Sequence, residues 1–171
     1  PAVPTSPTSY PVASTPVLLE AEAINSQDIC MGMCSRIAKG RLRSITGRDV
    51  RRFDIEAPWK PDTIDMGASI AHAGVCLTVV DKGEWGEGGW YTVEVSPETL
   101  RLTTLSAWSE GGTVNLERAL PADGRNSGHF VQGHVDDVGE IVDLSPDGDS
   151  LYVTIKPPAR LLPYIVPKGF I

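Results

Sequence analysis

Two of the chain's three histidines, His129 and His134, stand five residues apart in Ser127-Gly128-His129-Phe130-Val131-Gln132-Gly133-His134, each behind a glycine. On a regular strand that spacing sends them to opposite faces, and on a helix it separates them by about 140°. They are therefore not the same-face pair of a helical zinc protease. Gly128 and Gly133 permit backbone conformations in which both still border one cavity, and imidazole is the side chain that moves protons near neutral pH. Two surface or capping histidines are the plain alternative. Cys76, beside Leu77 and Thr78 in an apolar run, reads first as a small buried hydrophobe. Ser69 is by default a strand or turn hydroxyl, His72 a strand residue, and Glu98-Thr99 the chemistry of a helix start. Cys30 and Cys34 have no second pair to complete the usual four zinc ligands, so no metal is expected.

The elements that must position these residues are short strands. Arg41 to Ile45 and Arg52 to Glu56 alternate around the polar turn Thr46-Gly47-Arg48-Asp49, the signature of a hairpin. Pro58 and Pro61 then break the chain before a short helical or irregular link. Ala68 to Val80 reads as one long strand run, with a bulge or bend at Gly74. A glycine-rich loop follows at residues 83 to 89, and Trp90 to Val95 forms a further strand. Ser96-Pro97-Glu98-Thr99 predicts a helix, because serine caps, proline suits the first turn and Glu98 meets the positive end of the dipole. Leu100, Leu102 and Leu105 give that helix an apolar side, and Thr113 to Glu117 adds a last strand. Many short strands with one short helix predict a mainly β fold, a small antiparallel barrel of Greek-key type.

Bulk properties narrow the function classes. With 41% apolar and 22% charged residues, the 171-residue chain can build a core. Its net charge of −7 argues against a phosphate-tracking surface, so neither nucleic acid nor an anionic membrane is an expected partner. No apolar run is long enough to span a bilayer, no secretion signal opens the chain, and three cysteines suit a reducing compartment, so a cytoplasmic location is expected. Residues 1–30 begin with a Pro/Ser/Thr tract expected to stay extended or disordered, with Met31 or Met33 as candidate natural starts.

The sequence also repeats. Gly40 to Pro58 and Gly139 to Pro158 both run glycine, strand, polar turn, strand, proline, with one extra residue in the second turn. The agreement continues in Gly67-Ala68-Ser69-Ile70 against Lys168-Gly169-Phe170-Ile171. A period of about 100 residues suits a duplicated domain rather than a solenoid. It divides the chain into an extension (1–30), a complete barrel (31–135) and the opening third of a second barrel (136–171).

Four blocks, taken in order, resemble riboflavin synthase: Ser69 to Val80 (SIAHAGVCLTVV), Val95 to Arg101 with Thr103 to Leu105, Val114 to Leu120, and Gly128 to Asp136. The similarity runs roughly from Gly40 to Ile171, and the internal duplication is the family's too. It implies two six-stranded barrels per subunit, each able to bind 6,7-dimethyl-8-ribityllumazine, and a homotrimer with active sites between the N-terminal barrel of one subunit and the C-terminal barrel of another. There two lumazines dismutate: one passes a four-carbon unit to the other, giving riboflavin and 5-amino-6-(ribitylamino)uracil, a transferase reaction without metal or redox cofactor.

Carried onto this sequence, the resemblance implies that Cys76, Leu77 and Thr78, with Glu94, Val95, Ser96, Pro97, Glu98 and Thr99, line the pterin pocket. It sets Ser69 and Cys76 near the reacting carbons, and His129 and His134 at the interface to transfer protons or orient water. Gly133, His134, Val135 and Lys168 belong to the surface the second barrel helps form. The family opens on Met-Phe-Thr-Gly-Ile, of which Met31-Gly32-Met33-Cys34-Ser35-Arg36-Ile37 keeps fragments. With one complete pocket, the chain is expected to bind lumazine with little or no turnover. A non-catalytic lumazine- or flavin-binding module is the alternative. A flavin-reductase-type barrel would want a nicotinamide-binding α/β domain, and none follows.

Overall fold

A computed structural model describes residues 38–121, 123, 132–167 and 169. The extension at 1–30 therefore lies outside the described residues. Six strands close a barrel: β1 (Ala38–Thr46), β2 (Arg51–Ala57), β3 (Ser69–His72), β4 (Val75–Trp85), β5 (Gly88–Val95) and β6 (Thr113–Arg118). All neighbours are antiparallel, in the order β1-β2-β5-β4-β3-β6, so the expected antiparallel barrel is the fold observed.

Alternation decides which side chains fill it. Leu42, Phe53, Ile55, Ile70, Leu77, Val79, Val93, Val95, Val114 and Leu116 point inward and are almost fully buried. Ile64, on the link after β2, and Leu105, on the 3-10 turn Thr104–Ala107, are also fully buried in this core. Trp108 packs parallel to Phe53, with ring centroids 6.0 Å apart. On the outer face Asp54 joins three strands, accepting from Ser44 Oγ at 2.7 Å and Thr92 Oγ1 at 2.6 Å.

Three expectations change. The Ala68 to Val80 run is two strands rather than one bent strand: Ala73 (φ 48°) and Gly74 (φ 88°) make a two-residue turn between β3 and β4, the left-handed pair that matches the twist of a hairpin. The expected loop at 83 to 89 is mostly strand. Only Gly86 and Glu87 separate β4 from β5. A Cβ on Gly83 would lie 2.6 Å from the Trp90 indole, and one on Gly89 2.9 Å from the Trp59 carbonyl. These glycines make room for neighbours and do not mark a loop. Finally, helix α1 (Pro97–Leu102) stops before Leu105, which belongs to the following turn. Its start is as expected: Ser96 Oγ accepts from the Thr99 amide at 3.1 Å, Pro97 opens the helix and Glu98 lies in the first turn.

The second copy forms the hairpin of β7 (Glu140–Asp147) and β8 (Ser150–Lys156). Its pairing repeats that of β1 and β2 residue for residue. The first hairpin pairs Leu42 with Ile55 and, after a register shift, Ser44 with Asp54. The second pairs Ile141 with Ile155 and, after the same shift, Asp143 with Thr154. A 3-10 turn follows each, Pro61–Thr63 and Ala159–Tyr164.

Candidate functional site

Within the closed barrel, β5 leaves the first residues of β4 uncovered on one side. Strand β4 starts at Val75, but its pairing with β5 begins only at Val79 opposite Val93. Strand β5 ends two residues past Val93, at Val95, and the capped helix α1 then carries the chain away. The first residues of β4 thus keep β3 on one side, with Cys76 opposite Ala71, and lose β5 on the other. Part of the vacated edge is taken by a strap, Gln132 to Val135: the Cys76 amide donates to the Gly133 carbonyl at 2.9 Å.

Between helix and strap lies a cavity of about 210 Å³. Val75 and Cys76 from β4 form its floor; Glu98, Thr99, Leu102 and Thr103 form one wall, and Gly133, His134 and Val135 the other. The helix wall is internally braced. Thr103 Oγ1 donates to the Thr99 carbonyl at 2.6 Å, and Thr99 Oγ1 lies 3.0 Å from Ser96 Oγ. Arg101 grips both oxygens of Glu98 at 2.9 and 2.6 Å, which holds that exposed carboxyl below its ordinary range. The result is a slot lined by apolar side chains and by hydroxyls, a carboxylate and an imidazole in comparable measure, a combination suited to a flat ring with polar edges. Pockets for drug-sized ligands measure roughly 300–1,000 Å³, so this space, at about 210 Å³, is on the scale of a ring system rather than of a larger ligand.

Of the residues singled out from sequence, Cys76, Glu98, Thr99, Gly133, His134 and Val135 meet at this cavity. Ser69 and Thr78 stand opposite each other on the outer face of β3 and β4, exposed and not among its lining residues. Leu77 and Val95 turn into the core. Glu94 pairs with Arg52 across β2 and β5, 3.7 Å apart, while Ser96 and Pro97 serve the helix start. His129 and Lys168 lie outside the described residues. Sequence reasoning missed Val75, Leu102 and Thr103. The last two were within reach of it, since they stand one helical turn beyond Glu98 and Thr99 and so share their face.

His72 does not reach the cavity. It is fully buried inside the barrel, with Nε2 2.9 Å from Tyr91 Oη. Burial lowers its pKa to about 4, against a smaller opposing effect of the Ile70 and Val75 backbone, and pushes the Tyr91 hydroxyl up. Glu117, on the outer side of β6, is only 4% exposed and its Oε2 has no hydrogen-bond partner; burial raises its pKa. Among the described residues no three of His, Cys, Asp and Glu cluster as a metal site, and no helix is long and apolar enough to cross a membrane.

The profile of a protein family described as Lumazine binding domain matches residues 31–119, a stretch whose described part, from residue 38, includes the six barrel strands and the helix wall. The chain belongs to that family. Among related proteins, a riboflavin synthase of Brucella abortus is 47% identical over 116 residues, 67% of this chain and 57% of that protein. One of Schizosaccharomyces pombe is 48% identical over 118 residues, 68% of this chain and 55% of that protein. This chain thus spans a little over half the length of these relatives. Among solved structures, LumP complexed with riboflavin superposes with a TM-score of 0.54 at 24% identity, covering 75% of this chain and 68% of that one. LumP complexed with 6,7-dimethyl-8-(1'-D-ribityl) lumazine gives 0.51 at 23%, covering 75% and 67%. At these identities they bear on the fold, which is that of the lumazine-binding proteins.

Proposed function

We propose that this chain carries the lumazine-binding N-terminal half of a riboflavin synthase. The observation that carries the reading is the cavity itself. It gathers Cys76, Glu98-Thr99 and Gly133-His134-Val135, three separate blocks of the family resemblance, in one ring-sized slot. In this reading the pteridine ring of 6,7-dimethyl-8-ribityllumazine lies between Val75 and Leu102, with the Thr99 and Thr103 hydroxyls at its polar edge. Cys76 and His134 face the reacting carbons, and Ser69 and Thr78 serve the part of the ligand left outside.

Residues 31–135 act as the first lumazine-binding domain and 136–171 as the start of a second, a division supported by the shared register of β1–β2 and β7–β8. Dismutation needs two rings stacked in register, so positioning outweighs any single acid or base. Turnover then belongs to an assembly, a homotrimer in a cytoplasmic setting, in which a second pocket faces this one.

Titration of the chain with 6,7-dimethyl-8-ribityllumazine, followed by ligand fluorescence, tests binding; absorbance of riboflavin in the same samples tests turnover. The expected result is binding with little or no riboflavin formed by these 171 residues. Absence of binding to both lumazine and riboflavin would sink the reading. Tight binding that stays without turnover in a chain carrying both complete barrels would instead make the protein a binding module.

A further inference from the structure

The strap that closes the cavity is held by an unusual seat. Gly133 has φ +69°, a left-handed conformation that costs an ordinary residue strain. A Cβ at this position would lie 2.7 Å from the Gly74 carbonyl oxygen and 3.1 Å from both Cys76 Cβ and Cys76 N. Two of these are turn and strand backbone and the third is a Cβ bonded directly to it, all tied into the β3–β4 hairpin and unable to yield as a side-chain tip would. The close approach is also what lets the Gly133 carbonyl reach the Cys76 amide at 2.9 Å. His134 follows immediately and lines the cavity, while Cys76 forms its floor. One glycine therefore ties the segment that carries His134 to the strand that carries Cys76.

We infer that Gly133 is a positioning residue of the site: it seats the strap on the free edge of β4 and thereby sets His134 over Cys76. The seat is a matter of geometry alone, and only its consequence for ligand binding rests on the lumazine reading. Gly133→Ala adds both the left-handed strain and the close contact. Gly133→Asn separates them, because asparagine tolerates left-handed backbone but still carries a Cβ.

Two measurements test the inference, both in a C30S/C34S background so that Cys76 is the sole thiol, and both on variants whose melting confirms a folded barrel. The first needs no ligand: amide exchange at Cys76 and the rate of thiol modification. Both are expected to rise about tenfold in G133A and in G133N, as the local opening free energy of this edge falls. Rates unchanged in both variants would overturn the seat. A rise in G133A alone would trace the effect to strain and overturn the contact argument. The second is lumazine affinity: G133A and H134A each weaken binding, and the double variant binds no more weakly than the worse single one, since Gly133 acts through His134. Losses that multiply would overturn the assigned role. Should wild-type chain fail to bind lumazine, the functional reading falls while the exchange result still decides the seat.

Discussion

His72 makes the stability of the barrel depend on pH in a calculable way. Its ring is fully buried, its Nε2 faces Tyr91 Oη at 2.9 Å and its Nδ1 has no side-chain partner, so the cost of burying a positive charge outweighs what the Ile70 and Val75 backbone returns. Burial lowers its pKa from 6.5 to about 4. The unfolded chain therefore takes up a proton as pH falls through 6.5, while the folded barrel resists until about 4. Stability from this residue is whole above pH 6.5, drains away between 6.5 and 4, and changes no further below. At about 1.4 kcal/mol per pH unit, the loss is about 2 kcal/mol at pH 5 and about 3 kcal/mol once the interval is crossed. For a barrel of this size 2 kcal/mol corresponds to roughly 10 °C in Tm. Urea or thermal melts of wild type and His72→Gln at pH 7.5 and pH 5 isolate the effect, because every other titrating group is common to both chains. The stability difference between the two chains should shift by about 2 kcal/mol towards the variant at pH 5. Parallel pH profiles from 7.5 to 5 would refute the assignment of a buried, neutral His72.

Ala73 sits at φ 48° in the β3–β4 turn; Ala73→Asn restores the Asn-Gly pair such turns prefer and should stabilise the barrel by about 0.5–1 kcal/mol, read as a Tm a few degrees higher. A lower Tm would contradict the turn. Glu117 carries a buried oxygen with no partner and a raised pKa, so its carboxylate opposes folding at neutral pH and its protonated form does not. Glu117→Gln should therefore gain about 1 kcal/mol at pH 7, with the gain fading as acid protonates the wild-type carboxyl. An equal gain at pH 7 and at pH 4 would contradict this.

Where the sequence was legible, the signal was local. The β1–β2 hairpin follows from alternation around Gly47, and the start of α1 from Ser96 and Pro97. The illegible parts depended on partners far along the chain. Gly83 and Gly89 resemble loop residues until Trp90 and Trp59 are seen to occupy the space beside them. The β3–β4 turn was hidden because alanine, unlike asparagine, does not advertise a left-handed site. For the site, family resemblance supplied Cys76, Glu98 and Thr99, but it also drew in Leu77 and Val95, whose strand parity turns them to the core. The strap's dock on Cys76 joins residues 57 positions apart, 133 against 76, and no short-range pattern encodes it.

The duplicated hairpin separates what a hairpin encodes from what a barrel adds. Gly40 and Gly139 are equivalent: a Cβ on either would strike the partner strand's isoleucine Cγ2, Ile55 at 3.1 Å in the first and Ile155 at 2.7 Å in the second. Register, shift and close approach are thus the same in both copies, so they reside in the hairpin segment itself, residues 40–58 in one copy and 139–158 in the other. Burial is not the same. Phe53 and Ile55 are 0% exposed, whereas their counterparts Val153 and Ile155 are 42% and 52% exposed. At Gly40 the Leu116 side chain of β6 also closes in, at 2.5 Å, and at Gly139 no third strand does so among the described residues. An isolated two-stranded hairpin is at best marginally stable in water, so β7–β8 presents a core face whose stability depends on being covered.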